Sequence, residues 1–254
     1  MAAQQLSRVS SQLPSRAISL WDSEYGCAPF LNQTASVAVD KLMRLRSNLC
    51  LWGAPGVYEG RGRPRLHGDK FKLNAPTTWS SPAQQVEIDD PELGQLRVRV
   101  WHNYHFRLSP SHSMSVVLVE RLTTDGCTTT SKPMWLAFAG LKMPPPDRVW
   151  RLYLRRFAID HWYRFAKNRL HWTVPRLSTP VQCDRWSDLM PIVTWQLWLT
   201  RQLVAQRPLP WQKAQTKLTP GRVAQSFGSI LAVLGTPAQP PKLRGKSPGW
   251  QAGT

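Results

Sequence analysis

Negative charge is what this sequence lacks most. Asp and Glu total 15 against 33 Lys and Arg, and the first 21 residues contain no acid. The net charge of +18 favours a polyanionic partner, nucleic acid first and an acidic membrane surface second. Long apolar runs are also missing. No stretch approaches the roughly 20 residues that span a bilayer. The N-terminal MAAQQLSRVSSQ has no apolar signal-peptide core, so a cytoplasmic protein without a membrane partner is expected. Cysteine is sparse and scattered: Cys27, Cys50, Cys127 and Cys183 include no C-x-x-C pair. That argues against a zinc framework or a disulfide scaffold and leaves reduced thiols. Ser residues near histidines form no nucleophile elbow, and no internal repeat appears.

Apolar and aromatic residues are not lacking. A hydrophobic content of 42% supports a packed core, and 13 tryptophans can fill a core or stack on bases. Residues 1–16 read as a short helix ending near Pro14. RAISLWDSEYG then reads as a strand from Ala17 to Trp21 that runs into a turn, with Asp22 at the strand's C-terminal end. APFLNQTASVAV follows as a helix with Pro29 in its first turn, and DKLMRLRSNLCLW as the next strand. A strand–helix–strand order predicts an α/β sheet, where sites form at strand C-terminal ends.

From Gly53 the composition turns to Gly, Pro and basic residues, as in a loop or extended arm. Leu96, Val98 and Val100 alternate with Arg97, Arg99 and Trp101, which predicts a half-buried strand. SMSVVLVERL and KPMWLAFAG are two further strands. After Pro144, Pro145 and Pro146, Asp147 can cap one long helix, DRVWRLYLRRFAIDHWYRFAKNRLHW. Two more helical stretches follow, the first with a kink or break expected at Pro191.

The long helix holds a chemical anomaly. Asp160 is the only acid between Asp147 and Asp184, in a basic, aromatic segment. Asp160, Arg164, Lys167 and His171 are spaced four, three and four apart, one helix face, with Ile159, Tyr163, Ala166 and Leu170 on a neighbouring stripe that can face a core. The ordinary reading is an Asp–Arg ion pair worth a few tenths of a kcal/mol. The sharper one pairs Asp160 with Asp22. A hard cation such as Mg2+ takes carboxylate oxygens, and phosphoryl chemistry adds cations for the phosphate oxygens. RGRPR at residues 61–65 suits a thin arm: Arg61, Arg63 and Arg65 could enter a narrow A·T groove or touch phosphates without preference. His102 and His105 are three residues apart on a strand, so they point to opposite faces and do not suit a shared metal. His161 and His171 read as packing or phosphate contacts.

LWDSEYGCAPFL and YLRRFAIDHWYRFAKNRLHW together resemble the second and third acid blocks of insertion-sequence transposases of the DDE superfamily. GRPRLHGDKFKLNAPTTW and LSTPVQCDRWSDLMPIVTWQLWL resemble further parts of such enzymes, so the likeness extends from about Arg16 to Trp250. It implies an α/β fold with a partial RNase H-like core, a β-rich insertion and a helical C-terminal region. Residues 1–55 would carry the first part of the core, 56–140 the insertion with its basic arm, 141–235 the core helix and C-terminal helices, and 236–254 a basic, disordered tail. The resemblance makes Asp22 and Asp160 catalytic ligands of Mg2+ or Mn2+, and Arg164 and Lys167 contacts to the DNA end. It implies transposon ends as the partner, a homodimer as the working unit, and, if the source is bacterial, a nucleoid-associated place in the cytoplasm.

Two features depart from that family pattern. The third acid is usually Glu, whereas position 160 is Asp. The first acid belongs on an earlier strand, and residues 1–21 offer none; Glu24 is a weak substitute beside Asp22. A truncated transposase is therefore expected, binding DNA with little or no strand cleavage. The rival readings are a non-catalytic basic nucleic-acid-binding protein and an RNA-associated one.

Overall fold

The computed structural model describes residues 2–58, 60, 62–123, 126, 127 and 132–235. Arg61 and the expected tail at 236–254 lie outside these described residues. The chain divides into two compact units, Met1–Ala158 and Ile159–Thr254.

The first unit is built on a mixed sheet of eight strands: β1 (Ile18–Trp21), β2 (Asp40–Arg44), β3 (Cys50–Trp52), β4 (Lys70–Lys72), β5 (Gln84–Asp90), β6 (Gly94–Phe106), β7 (Ser109–Arg121) and β8 (Met134–Ala139). Their order is β1-β2-β8-β7-β6-β3-β4, with β5 pairing β6. β1 and β2 are parallel, joined through helix α2 (Ala28–Gln33), and Ile18 faces Asp40 in the register. The remaining pairs are antiparallel. This mixed α/β architecture agrees with the RNase H-like fold class that the sequence implies. The strands between residues 56 and 140 continue the sheet that β1 and β2 begin, through the β2–β8 pairing.

Side-chain alternation assigns the two faces of the sheet. Met43, Leu118, Trp135 and Ala137 pack on one side with Phe30 and Leu31 of α2 and with Leu6 of α1 (Ala2–Ser10). Their neighbours Leu42, Val117, Leu136 and Phe138 pack on the other with Val149, Trp150 and Tyr153 of α3 (Pro146–Leu154). Leu96, Val98 and Val100 join that second face, as their alternation predicts, while Arg99 on the opposite side bonds Glu120 at 2.7 Å. Two buried acids near chain turns are fully engaged. Asp40 accepts from Arg16 and from the Leu141 N–H. Burial alone would raise the Asp90 carboxyl, but the N–H groups of Glu92 and Leu93 and the Arg151 guanidinium hold it below its ordinary value.

Several elements end earlier than expected, for local reasons. α1 stops at Ser10 because the hydroxyls of Ser10 and Ser11 bond the carbonyls of Ser7 and Arg8. α2 stops at Gln33 because buried Thr34 turns its hydroxyl onto the Phe30 carbonyl at 2.7 Å. The expected single strand over 40–52 is two, β2 and β3, split by a turn at Ser47 and Asn48. The expected long helix is also two, α3 and α4 (Phe157–Arg169), because the bonds tighten to three-residue spacing at Arg155 and Arg156. Pro145, not Asp147, caps α3, and Asp147 lies in its first turn.

The second unit holds most of α4, α5 (Pro180–Leu199), α6 (Pro220–Ser226) and α7 (Gly228–Leu234). α5 starts at a Thr179 cap and stays one helix through Pro191, so of the kink or break expected there the break does not occur. Its Leu197 packs with Val204, Val223 and Ile230 and with Phe165 and Leu170 from the α4 side. No described helix is long and apolar enough to cross a membrane.

Candidate functional site

Asp22 stands one residue beyond β1, at its C-terminal end. Its Oδ1 accepts the Glu24 N–H at 3.0 Å, and its carbonyl accepts the Tyr25 N–H at 3.2 Å, so the turn locks the carboxylate in place. Trp21, Tyr25 and Phe30 cluster beneath the turn, with ring centroids 4.5–5.2 Å apart. Gly26 closes it against the Arg44 carbonyl of β2, where any Cβ would collide. The Asp22 side chain keeps 38% of its surface exposed, and a guanidinium nitrogen of Arg156 lies 4.0 Å from Oδ2. Glu24 is exposed on the same turn.

In the second unit, Asp160, Arg164 and Lys167 line one open groove of about 460 Å³ with Tyr163 and Trp172. Asp160 occupies the first turn of α4, where the helix dipole favours an acid. Tyr163 and Trp172 stack at 5.8 Å with planes 8° apart, forming the groove's aromatic wall. Two expectations are corrected. His171 does not continue the face: α4 ends at Arg169, and His171 takes a left-handed φ of 55°. The apolar stripe is also rotated, since Ile159 and Tyr163 are 48% and 40% exposed while Ala166 is fully buried. Leu170 of that stripe does pack on the core, but with Phe165 beside it in place of Ile159 and Tyr163, because the partners that define the core lie beyond residue 190.

Arg63 and Arg65 are exposed on a loop that joins two paired strands. β3 and β4 are antiparallel, Trp52 opposite Lys70, and residues 53–69 form the connection between them. Its base is pinned by the Gly53 N–H to the Asp69 carbonyl and the Gly68 N–H to the Gly53 carbonyl, both 2.9 Å. Gly68 admits no Cβ against the Ala54 carbonyl. The His67 Nδ1 and His105 Nε2 atoms are 2.9 Å apart, which ties the base to β6. His102, by contrast, is exposed and lies 2.8 Å from the Ser115 hydroxyl, so the two strand histidines do face apart. Sequence reasoning missed the His67–His105 pair, since nothing local links positions 67 and 105.

Burial, and then the charge of His67, push the His105 pKa below its ordinary value. The unfolded chain therefore binds a proton that the folded protein refuses, and stability falls as pH drops below about 6.5. Thermal unfolding midpoints measured between pH 8 and pH 5 are expected to decline. His105→Gln, which cannot titrate, is expected to flatten that part of the decline.

Among the described residues no group of three or more His, Cys, Asp or Glu gathers as a metal cage. Mg2+ characteristically keeps several waters and takes only one or two carboxylates plus substrate phosphate oxygens. The turn-fixed, part-exposed carboxylate of Asp22 is an oxygen donor of that kind.

The first unit thus offers an acid fixed at a strand end and a pinned basic loop, and the second a cation-lined groove carrying another acid; each is of a kind that suits phosphate oxygens. The particular family comes from comparison. Residues 1–105 match the family model of a DDE superfamily endonuclease, a segment that contains Asp22, the basic loop and the His67–His105 pair but not Asp160. Over that segment, less than half of the chain, the protein is similar to DDE superfamily endonucleases, and the likeness supports a transposase-like nuclease reading with DNA as substrate. No curated protein matches the chain.

Proposed function

We propose that the chain binds DNA at transposon ends, with Arg61, Arg63, Arg65, Arg164 and Lys167 contacting the strand and with Asp22 and Asp160 as the carboxylates that take Mg2+ or Mn2+. The observation that carries this reading is the position of Asp22, locked by its turn at the end of a sheet strand within the matched segment. A bound divalent ion supplies charge neutralisation at phosphate and an activated water. The protein's own part is to hold the carboxylates, to orient phosphates with arginine and lysine, and to present the strand. The working unit is a homodimer, which light scattering on the DNA complex would test.

Strand cleavage by the 254-residue chain alone is expected to be weak, because residues 1–21 contain no carboxylate to complete the acid set. A nicking assay on duplex carrying the element's ends, with Mg2+ or Mn2+, checks this. Binding with little nicking supports the reading, and robust turnover by the purified chain refutes the argument from the missing acid. One observation favours a second reading, a non-catalytic basic nucleic-acid-binding protein: Asp22 has a guanidinium only 4.0 Å away, as an ordinary ion pair would. In that case Asp22→Asn would leave Mn2+ binding unchanged.

A further inference from the structure

The C-terminal half of α5 is apolar on two opposite sides, and only one of them is covered. Met190, Thr194 and Leu197 turn inward and are buried, and Val193 packs on the same core as Leu197. Ile192, Trp195 and Leu199 recur at spacings of three and four on the outer side, and Leu203 extends the row just beyond the helix. These four are 52%, 67%, 74% and 73% exposed. Residues 189–200 contain no Lys, Arg, Asp or Glu. A helix segment that is apolar all round belongs inside a core, so the outer row is one half of a contact.

Charge and area identify the occupant. A net charge of +18 opposes contact between copies wherever basic side chains would meet, and a charge-free row removes that repulsion. The flanks of the row complement their own reversal. Asp184 and Asp188, with Arg185 between them, precede it, and Arg201 follows it; all four are exposed. Let two copies of α5 run antiparallel with Ile192 of one opposite Leu199 of the other. Asp188 of each copy then comes within one helical turn of Arg201 of the other, so opposite charges meet at both ends. Trp198, 41% exposed, borders the row. With it, the exposed apolar surface is roughly 600 Å² on each copy, so a pair would bury roughly 1,200 Å², enough for a specific interface.

We propose that this row is where two copies of the chain meet, α5 against α5, antiparallel about a two-fold axis beside Trp195. Such a contact is isologous and closes on itself, giving a dimer and no larger assembly. The proposal rests on the homodimer reading above and gives it an interface, one that forms without DNA.

Light scattering and sedimentation equilibrium on the nuclease-treated full chain test it, in about 0.5 M salt so that phosphate contacts are screened. The native chain is expected at twice its 28.9 kDa mass. Leu199→Glu places like charges in the row and should raise the dissociation constant at least about tenfold. Leu199 is 74% exposed, so the change does not threaten folding. Asp188→Arg and Arg201→Asp should each weaken the dimer about fivefold, and the two together in one chain should restore it. That rescue would not follow from a mere folding defect. A native dimer that Leu199→Glu leaves intact puts the contact elsewhere and overturns this proposal while the homodimer reading stands. Single charge reversals that the double variant does not rescue overturn the antiparallel arrangement. A monomeric native chain overturns the proposal outright, and light scattering on the DNA complex then decides the homodimer reading separately. A monomer that pellets with phosphatidylserine vesicles, and ceases to do so as Leu199→Glu, would give the row to a membrane surface instead.

Discussion

Raising salt from 50 to 200 mM is expected to weaken binding of the full chain to duplex DNA by about 500-fold. Each phosphate neutralised by Lys or Arg releases counterions, and the logarithm of affinity falls with a slope of about −0.9 per contact. Five proposed contacts, Arg61, Arg63, Arg65, Arg164 and Lys167, give a slope of about −4.5. Replacing Arg63 or Arg164 singly with Gln should reduce the slope by about one and weaken all sequences alike. A slope near zero would mean that the +18 charge is not what holds DNA. A slope retained in full after both replacements would move the contacts elsewhere.

Trp135→Ala is expected to cost about 4 kcal/mol of folding stability, measured as the shift in urea midpoint of the full chain. Trp135 is 1% exposed and sits 5–6 Å from three other rings: Trp79 at 5.1 Å, Trp101 at 5.8 Å and Phe71 at 6.0 Å. Those rings come from β4, from the segment after it, from β6 and from β8, so one aromatic cluster binds most of the sheet's length. A typical domain has only about 5–15 kcal/mol in total, so the loss should register as a large midpoint shift across the sheet. If strands between 56 and 140 were a detachable module, the change would melt them and leave β1, β2 and α2 folded. Coincident loss of probes on β1 and β6 is the expected result.

The two ends of this fold differ in how plainly the sequence announces them. β1 and its turn were legible because a short apolar run meets Asp22, Tyr25 and Gly26, all turn formers or anchors close in sequence. The alternation of Leu96, Val98 and Val100 was legible for the same local reason. The Asp160, Arg164 and Lys167 face was also correct, because helical spacing alone sets it and the three residues do line one groove. What the sequence hid is what depends on distant partners. β4 is three residues, Lys-Phe-Lys, and becomes a strand only by pairing with β3. The basic arm therefore read as free loop, when its base is pinned between two strands and to His105. The buried face of α4 turned toward Phe165 because α5 and α6 supply its core, which no spacing within α4 encodes. The membership of β6, β7 and β8 in the same sheet as β1 follows from a β2–β8 pairing across some hundred residues of chain.

The most direct test of the account is a Mn2+ titration, followed by electron paramagnetic resonance, of the full chain and its Asp22→Asn and Asp160→Asn variants, with duplex affinity measured alongside. The account predicts that each replacement weakens Mn2+ binding by tenfold or more, in the range that metal-site substitutions commonly give, about 10–100-fold, while DNA affinity stays within about twofold. Native-like Mn2+ binding in both variants would contradict it, and would leave these two aspartates as ordinary partners of nearby arginines.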